Sequence, residues 1–144
     1  MSTEQNKALY RRFIEEGFNE GKLTTVDELL APTYIYQDAL PGTPAGPDGI
    51  KGVITLFRGA FPDLQITIEQ QVAEGDMVSS RTSMRGTHRG ELFGVAATGR
   101  PVLMTGMTMV RFVDGRMVEA WVKNDVVGLY RQLGLTPQPA ETTR

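Results

Sequence analysis

A chain of 144 residues that is 40% hydrophobic and 22% charged, with a formal net charge of -2, has the composition of one compact domain rather than a fibre or a linker. With no cysteine and one histidine, it has no thiolate nucleophile, no disulfide and no histidine-rich metal cluster. Fifteen basic residues against seventeen acidic ones, with no basic block and no apolar run near the roughly 20 residues that span a bilayer, predict a cytoplasmic protein that binds neither nucleic acid nor membrane.

Ser2 and Gln5 stand at capping-box spacing, and Leu9, Tyr10, Phe13, Ile14 and Phe18 form the apolar stripe of a first helix that stops at Gly21. Thr25 and Glu28 repeat the spacing ahead of a short second helix with Val26, Leu29 and Leu30 on its apolar face, closed by Pro32. Tyr34, Ile35 and Tyr36 have strand chemistry. Three prolines and three glycines make Leu40 to Gly49 a loop, and Pro47 fits the first turn of a third helix carrying Ile50, Val53, Ile54, Phe57 and Phe61, ended by Pro62. From Leu64 the period becomes two. One strand carries Ile66, Ile68 and Val72, a turn at Glu74-Gly75-Asp76 follows, and a second strand runs from Met77 toward His88. Arg89 to Arg100, with three glycines, reads as an irregular crossing before two long strands, Val102 to Val113 and Met117 to Asp125, that turn at Asp114-Gly115. A last helical turn lies within Gly128 to Leu135, and residues 136–144 have the composition of a disordered tail. Helices first and strands afterward indicate a single α+β domain over residues 1–135, its N-terminal helices packed on a mostly antiparallel sheet.

A three-residue loop with Gly115 in a bulge position would set Arg111 opposite Met117, Met107 opposite Trp121 and Leu103 opposite Asp125. One face then collects Leu103, Thr105, Met107, Met109 and Arg111 with Met117, Glu119, Trp121, Lys123 and Asp125, a mixture expected of a lined cavity. The other, with Val102, Met104, Val110, Val118 and Val122, is smooth and apolar; placed on the side the helices leave uncovered, it predicts a homodimer interface. Met107, Met109 and Met117 are either plain core or pocket lining. Arg111 and Glu119 read as an ion pair. Asp125 is either the N-cap of the following helix or a working acid/base, and His88 either an imidazole acid/base or a hydrogen-bonded structural residue. No Walker loop, dinucleotide fingerprint, nucleophile elbow or zinc-protease helix occurs, so no cofactor and no metal are expected.

Three stretches carry a resemblance: Ala60-Phe61-Pro62-Asp63-Leu64 leading to Ala73-Glu74-Gly75-Asp76; Arg85-Gly86-Thr87-His88-Arg89-Gly90-Glu91 with Gly94 and Thr98-Gly99-Arg100; and Arg111-Phe112-Val113-Asp114-Gly115-Arg116 through Trp121 and Asp125 to Gly128-Leu129 and Gln132-Leu133-Gly134. In that order they resemble the SnoaL-like polyketide cyclases, or ester cyclases, of the nuclear-transport-factor-2-like (ketosteroid-isomerase-like) superfold. The resemblance implies a cone-shaped α+β barrel with a deep apolar pocket. It also implies ring closure of an aromatic polyketide ester by intramolecular aldol condensation without cofactor, with a carboxylate at the position of Asp125 as general acid/base. One departure is Gln37, where relatives often carry His before an acidic residue.

On this reading the substrate is a small hydrophobic or aromatic carbonyl compound. Asp125 is the base, His88 and Arg111 are donors to the enolate oxygen, and Trp121, Met107, Met109, Phe57 and Tyr34 are the pocket walls, with Gln37 a further substrate contact. Two alternatives stand beside it. An isomerase or epoxide hydrolase could use the same scaffold, the hydrolase needing an Asp-Arg-Asp relay for which only Asp125 with Arg111 or Arg81 is available; a non-catalytic module could store a hydrophobic ligand.

Overall fold

Ser2 opens the first helix through a reciprocal cap: its Oγ accepts the Gln5 N–H at 3.1 Å, while Gln5 Oε1 accepts the Ser2 N–H at 2.8 Å. This computed structural model describes residues 2–135, so the expected tail at 136–144 lies outside the described residues. Helix α1 (Thr3–Arg12) does not continue regularly to Gly21 but widens into a π-helical stretch, Phe13–Asn19. The wider turn lets Phe13 and Phe18, five residues apart, meet edge-on with ring centroids 5.7 Å apart. Arg58 closes the stretch from outside, its Nη1 donating to the carbonyls of Phe18 and Asn19 at 2.8 Å each.

Helix α2 (Leu23–Leu29) starts two residues before Thr25, which therefore caps nothing; its buried hydroxyl instead donates to Glu16 Oε1 at 2.7 Å. Strand β1 (Leu30–Tyr36) contains Pro32, tolerated because β1 lies at the sheet edge. Helix α3 (Pro47–Ala60) follows the proline-rich loop. Strands β2 (Gln65–Glu74), β3 (Met77–Thr87), β4 (Pro101–Val113) and β5 (Arg116–Asn124) come next, and helix α4 (Val126–Gln132) ends the described chain. The strand order is β1-β5-β4-β3-β2, antiparallel throughout except for the parallel pair β1 and β5. Four helices on one open, mostly antiparallel five-stranded sheet make an α+β fold.

The β4–β5 turn corrects the expected register. Asp114 and Gly115, both at positive φ (50° and 79°), form a two-residue turn, so Val113 opposes Arg116 and Phe112 opposes Met117. The extra residue sits in β5, between Met117 and Glu119, beyond which Arg111 pairs with Glu119 and Met109 with Trp121. The shift from the expected pairing is two residues, so Glu119, Trp121 and Lys123 keep their face. Met117 alone moves to the opposite one and is buried among core residues.

The helices cover the face carrying Val102, Met104, Val110 and Phe112, the reverse of the expectation. Burial drives the choice, because the smoother apolar face removes more hydrocarbon from water than the face mixed with Arg and Glu. One cluster joins Tyr10, Phe13 and Ile14 to Val78, Val110, Phe112 and Met117; a second joins Phe61, Leu64 and Leu92 to Met84, Val102, Met104 and Leu129. The surface that placed the expected dimer contact is therefore core. Among the described residues no helix is long and apolar enough to cross a membrane.

Candidate active site

Between the two clusters the covered face of the sheet carries small side chains: Thr82 on β3, Gly106 and Thr108 on β4, Ala120 on β5. Large residues around small ones leave a gap that the helices roof but do not fill. The result is a mostly apolar cavity of about 110 Å³ with an open mouth. Tyr10, Phe13, Ile14 and Phe18 come from the first helical segment, Ile50, Val53 and Phe57 from α3, and Tyr34 and Tyr36 from β1. Met84, Met104, Met117 and Val122 complete the sheet side, with Asn124 at the end of β5.

The polar groups of this lining are uncharged. Thr108 Oγ1 donates to the Tyr10 hydroxyl at 3.0 Å. Burial pushes the Tyr10 phenol up to about 12, against the smaller opposing effect of Thr108, and burial with the neighbouring Tyr36 and Tyr10 holds Tyr34 well above the ordinary phenol range. Burial raises Tyr36 as well. At neutral pH the three are hydrogen-bonding phenols rather than bases. Asn124 adds an amide whose Oδ1 lies where a Cβ on residue 106 would be, so glycine at 106 is what admits it. Among the described residues no Asp, Glu, Lys, Arg or His belongs to this lining, and no three His, Asp or Glu side chains converge to hold a metal ion.

The expected site residues divide between four places. Phe57 and Tyr34 line the cavity. Trp121, Met107, Met109 and Arg111 are on the opposite face of the sheet, with Met107 55% and Met109 46% exposed. There Arg111 Nη1 donates to both Asp76 oxygens at 3.1 and 3.0 Å, its Nε lies 3.6 Å from Glu119 Oε1, and Gln37 Nε2 donates to Glu119 Oε2 at 2.6 Å. Arg111 thus has no access to a ligand in the cavity, and neither it nor Arg81 supplies the relay a hydrolase would need.

His88 is fully buried at the end of β3, beside Phe61 and clear of the lining. Its Nδ1 accepts the Thr98 N–H at 3.2 Å and lies 3.0 Å from Thr98 Oγ1, which leaves the proton on Nε2. With its backbone bonded to Arg100 O and Gly99 N, it pins the crossing segment to the sheet rather than facing substrate. Asp125 is exposed and caps α4, its Oδ1 accepting the Gly128 N–H at 2.9 Å, while Oδ2 makes no hydrogen bond among the described residues. The expectation that this carboxylate points inward beside Trp121 does not hold, because the strand ends at Asn124 and the next residue turns to start a helix.

Tyr10, Thr82, Thr108 and Asn124 are lining groups that the sequence reading passed over. The signal was Gly106 and Thr108 in the middle of an otherwise bulky apolar face.

Comparison with known proteins places this architecture. The family model for SnoaL-like polyketide cyclase matches residues 8–133. The chain is 33% identical over 129 residues to aklanonic acid methyl ester cyclase DnrD of Streptomyces peucetius, covering 88% of each chain. It is 29% identical over 119 residues to nogalonic acid methyl ester cyclase of Streptomyces nogalater, covering 81% of this chain and 89% of that one. Among solved structures, IdmH of Streptomyces antibioticus superposes with a TM-score of 0.78 at 40% identity, over 91% of this chain and 99% of that one. TsrD of Streptomyces laurentii superposes with a TM-score of 0.86 at 28% identity, over 93% and 98%. A match over nearly the whole chain, with the fold in agreement, means that this protein belongs to the SnoaL-like polyketide cyclase family.

Proposed function

We propose that this protein is a cofactor-independent cyclase that closes a ring in a polyketide-type aromatic or polycyclic carbonyl compound held in the cavity. The supporting observation is the cavity itself: aromatic and aliphatic walls from two helical segments and all five strands of the sheet, with a few neutral hydrogen-bonding groups, on a scaffold shared with ester cyclases. In an aldol closure a C–H beside one carbonyl gives its proton to a base, the carbon forms a C–C bond to a ketone carbon, and the ketone oxygen takes a proton. The product is an isomer of the substrate, so no redox partner or co-reactant is required. Asp125 is the proposed acid/base, acting from outside the lining, where it is exposed next to Asn124 at the end of β5. It follows Asn124, whose side chain belongs to the lining, and its cap uses one oxygen and leaves Oδ2 uncommitted among the described residues. The protein acts as a cytoplasmic homodimer joined through the uncovered face of the sheet, where Leu103, Met107, Met109 and Val113 are exposed.

The test is incubation with aklanonic acid methyl ester in the presence of a chelator and no cofactor, followed by chromatography with mass detection. A new species of unchanged mass is expected, and Asp125→Asn should lower turnover about 10²- to 10⁴-fold with ligand affinity retained. A second reading, storage of a hydrophobic ligand without chemistry, draws on the absence, among the described residues, of any carboxylate, imidazole or amine from the lining. It predicts tight binding, no isomeric product and no effect of Asp125→Asn.

A further inference from the structure

We propose that the Tyr34 hydroxyl is the hydrogen-bond donor that seats a carbonyl oxygen of the ligand. Tyr34 is 4% exposed, lines the cavity, and its hydroxyl makes no hydrogen bond among the described residues. Its neighbour Tyr10 already has a partner in Thr108, and Tyr36 is only half-buried. The hydroxyl keeps contact with the cavity space and has no protein acceptor there, so an acceptor carried in by the ligand is the partner it is free to take. The acceptor it suits is neutral: the lining has no cation to balance a carboxylate, and burial keeps the phenol protonated. In ring closure the bond would strengthen as negative charge gathers on the carbonyl oxygen. The inference rests on the functional reading only in taking the cavity as the ligand site.

The experiment uses 9-fluorenone and fluorene, which share a tricyclic skeleton and differ by the carbonyl. Affinities for the wild-type protein and for Tyr34→Phe are measured by calorimetry, and the C=O stretch of bound fluorenone by infrared difference spectroscopy. Tyr34→Phe should bind fluorenone roughly 3- to 10-fold more weakly and fluorene unchanged. The wild-type complex should show the carbonyl stretch lowered relative to fluorenone in an alkane. The stretch is read on wild-type protein, so it serves even if the variant folds poorly. Failure of wild-type protein to bind fluorenone, an unshifted stretch, or equal effects of the substitution on both ligands would overturn the assignment. Fluorenone behaving as expected while no polyketide ester is cyclised would remove the cyclase reading and leave the donor in place. Turnover with a fluorenone affinity indifferent to Tyr34→Phe would do the reverse.

Discussion

Asn124 lays its side chain over Gly106, the two facing each other across β5 and β4 at the rim of the cavity. Any side chain at 106 must displace it. Gly106→Ala should therefore cost about 1–3 kcal/mol of stability through overpacking, and much less in an Asn124→Ala background. Urea unfolding of the two single variants and the double variant reads the coupling. Additive effects would mean that the amide does not occupy that space.

Arg111 faces Glu119 directly on the uncovered side of the sheet, with Asp76 on its other flank. Both partners are partly exposed, so the coupling between Arg111→Met and Glu119→Gln should be no more than about 1 kcal/mol. Turnover of Arg111→Met should stay near that of the wild type, because the guanidinium is separated from the cavity by the sheet. A tenfold loss would place it within reach of substrate.

The uncovered face presents Met109 beside Trp121, with Met107 and Leu103 further along β4. Sedimentation at micromolar concentration should give a dimer for the wild type and a monomer for Met109→Glu, which would set a carboxylate in the middle of the contact. A wild-type monomer, or a dimer indifferent to Met109→Glu, would rule out this face.

Glu16 links the π-helical stretch to α2. The Thr25 hydroxyl and then the Arg12 guanidinium hold its carboxyl below the ordinary value of 4.5. A carboxyl depressed in the folded state contributes stability that is present above its unfolded pKa and lost as pH falls through the folded one. Thr25→Val removes the larger cause, so the variant should be less stable than wild type at pH 7, and the difference should shrink by pH 3. A gap independent of pH would show that the hydrogen bond does not act through the ionised carboxylate.

Element types were legible because they rest on local chemistry. The Ser2 and Gln5 cap, the proline at the start of α3 and the change to period two at Leu64 each have a nearby cause. Which sheet face is inward was not. The alternation of β4 sorts Met107 from Thr108 but does not say which of them meets the helices, since that depends on burial summed over the whole sheet. The position of the Asp114-Gly115 turn was visible in sequence, whereas the extra residue after Met117 was not, because no glycine or turn residue beside Met117 marks it. Asp125 shows the limit most plainly: one residue types both a helix cap and an acid/base, and only the end of β5 at Asn124 separates the two placements.

The methionines distribute so that one spectrum tests where the ligand sits. Met84, Met104 and Met117 line the cavity, while Met107 and Met109 lie on the uncovered face. With ¹³C-methyl methionine labels, titration with aklanonic acid methyl ester should move and broaden the resonances of Met84, Met104 and Met117 in saturable fashion and leave Met107 and Met109 in place. Shifts confined to Met107 and Met109, with the three cavity methyls unmoved, would contradict the account and put the ligand on the other side of the sheet.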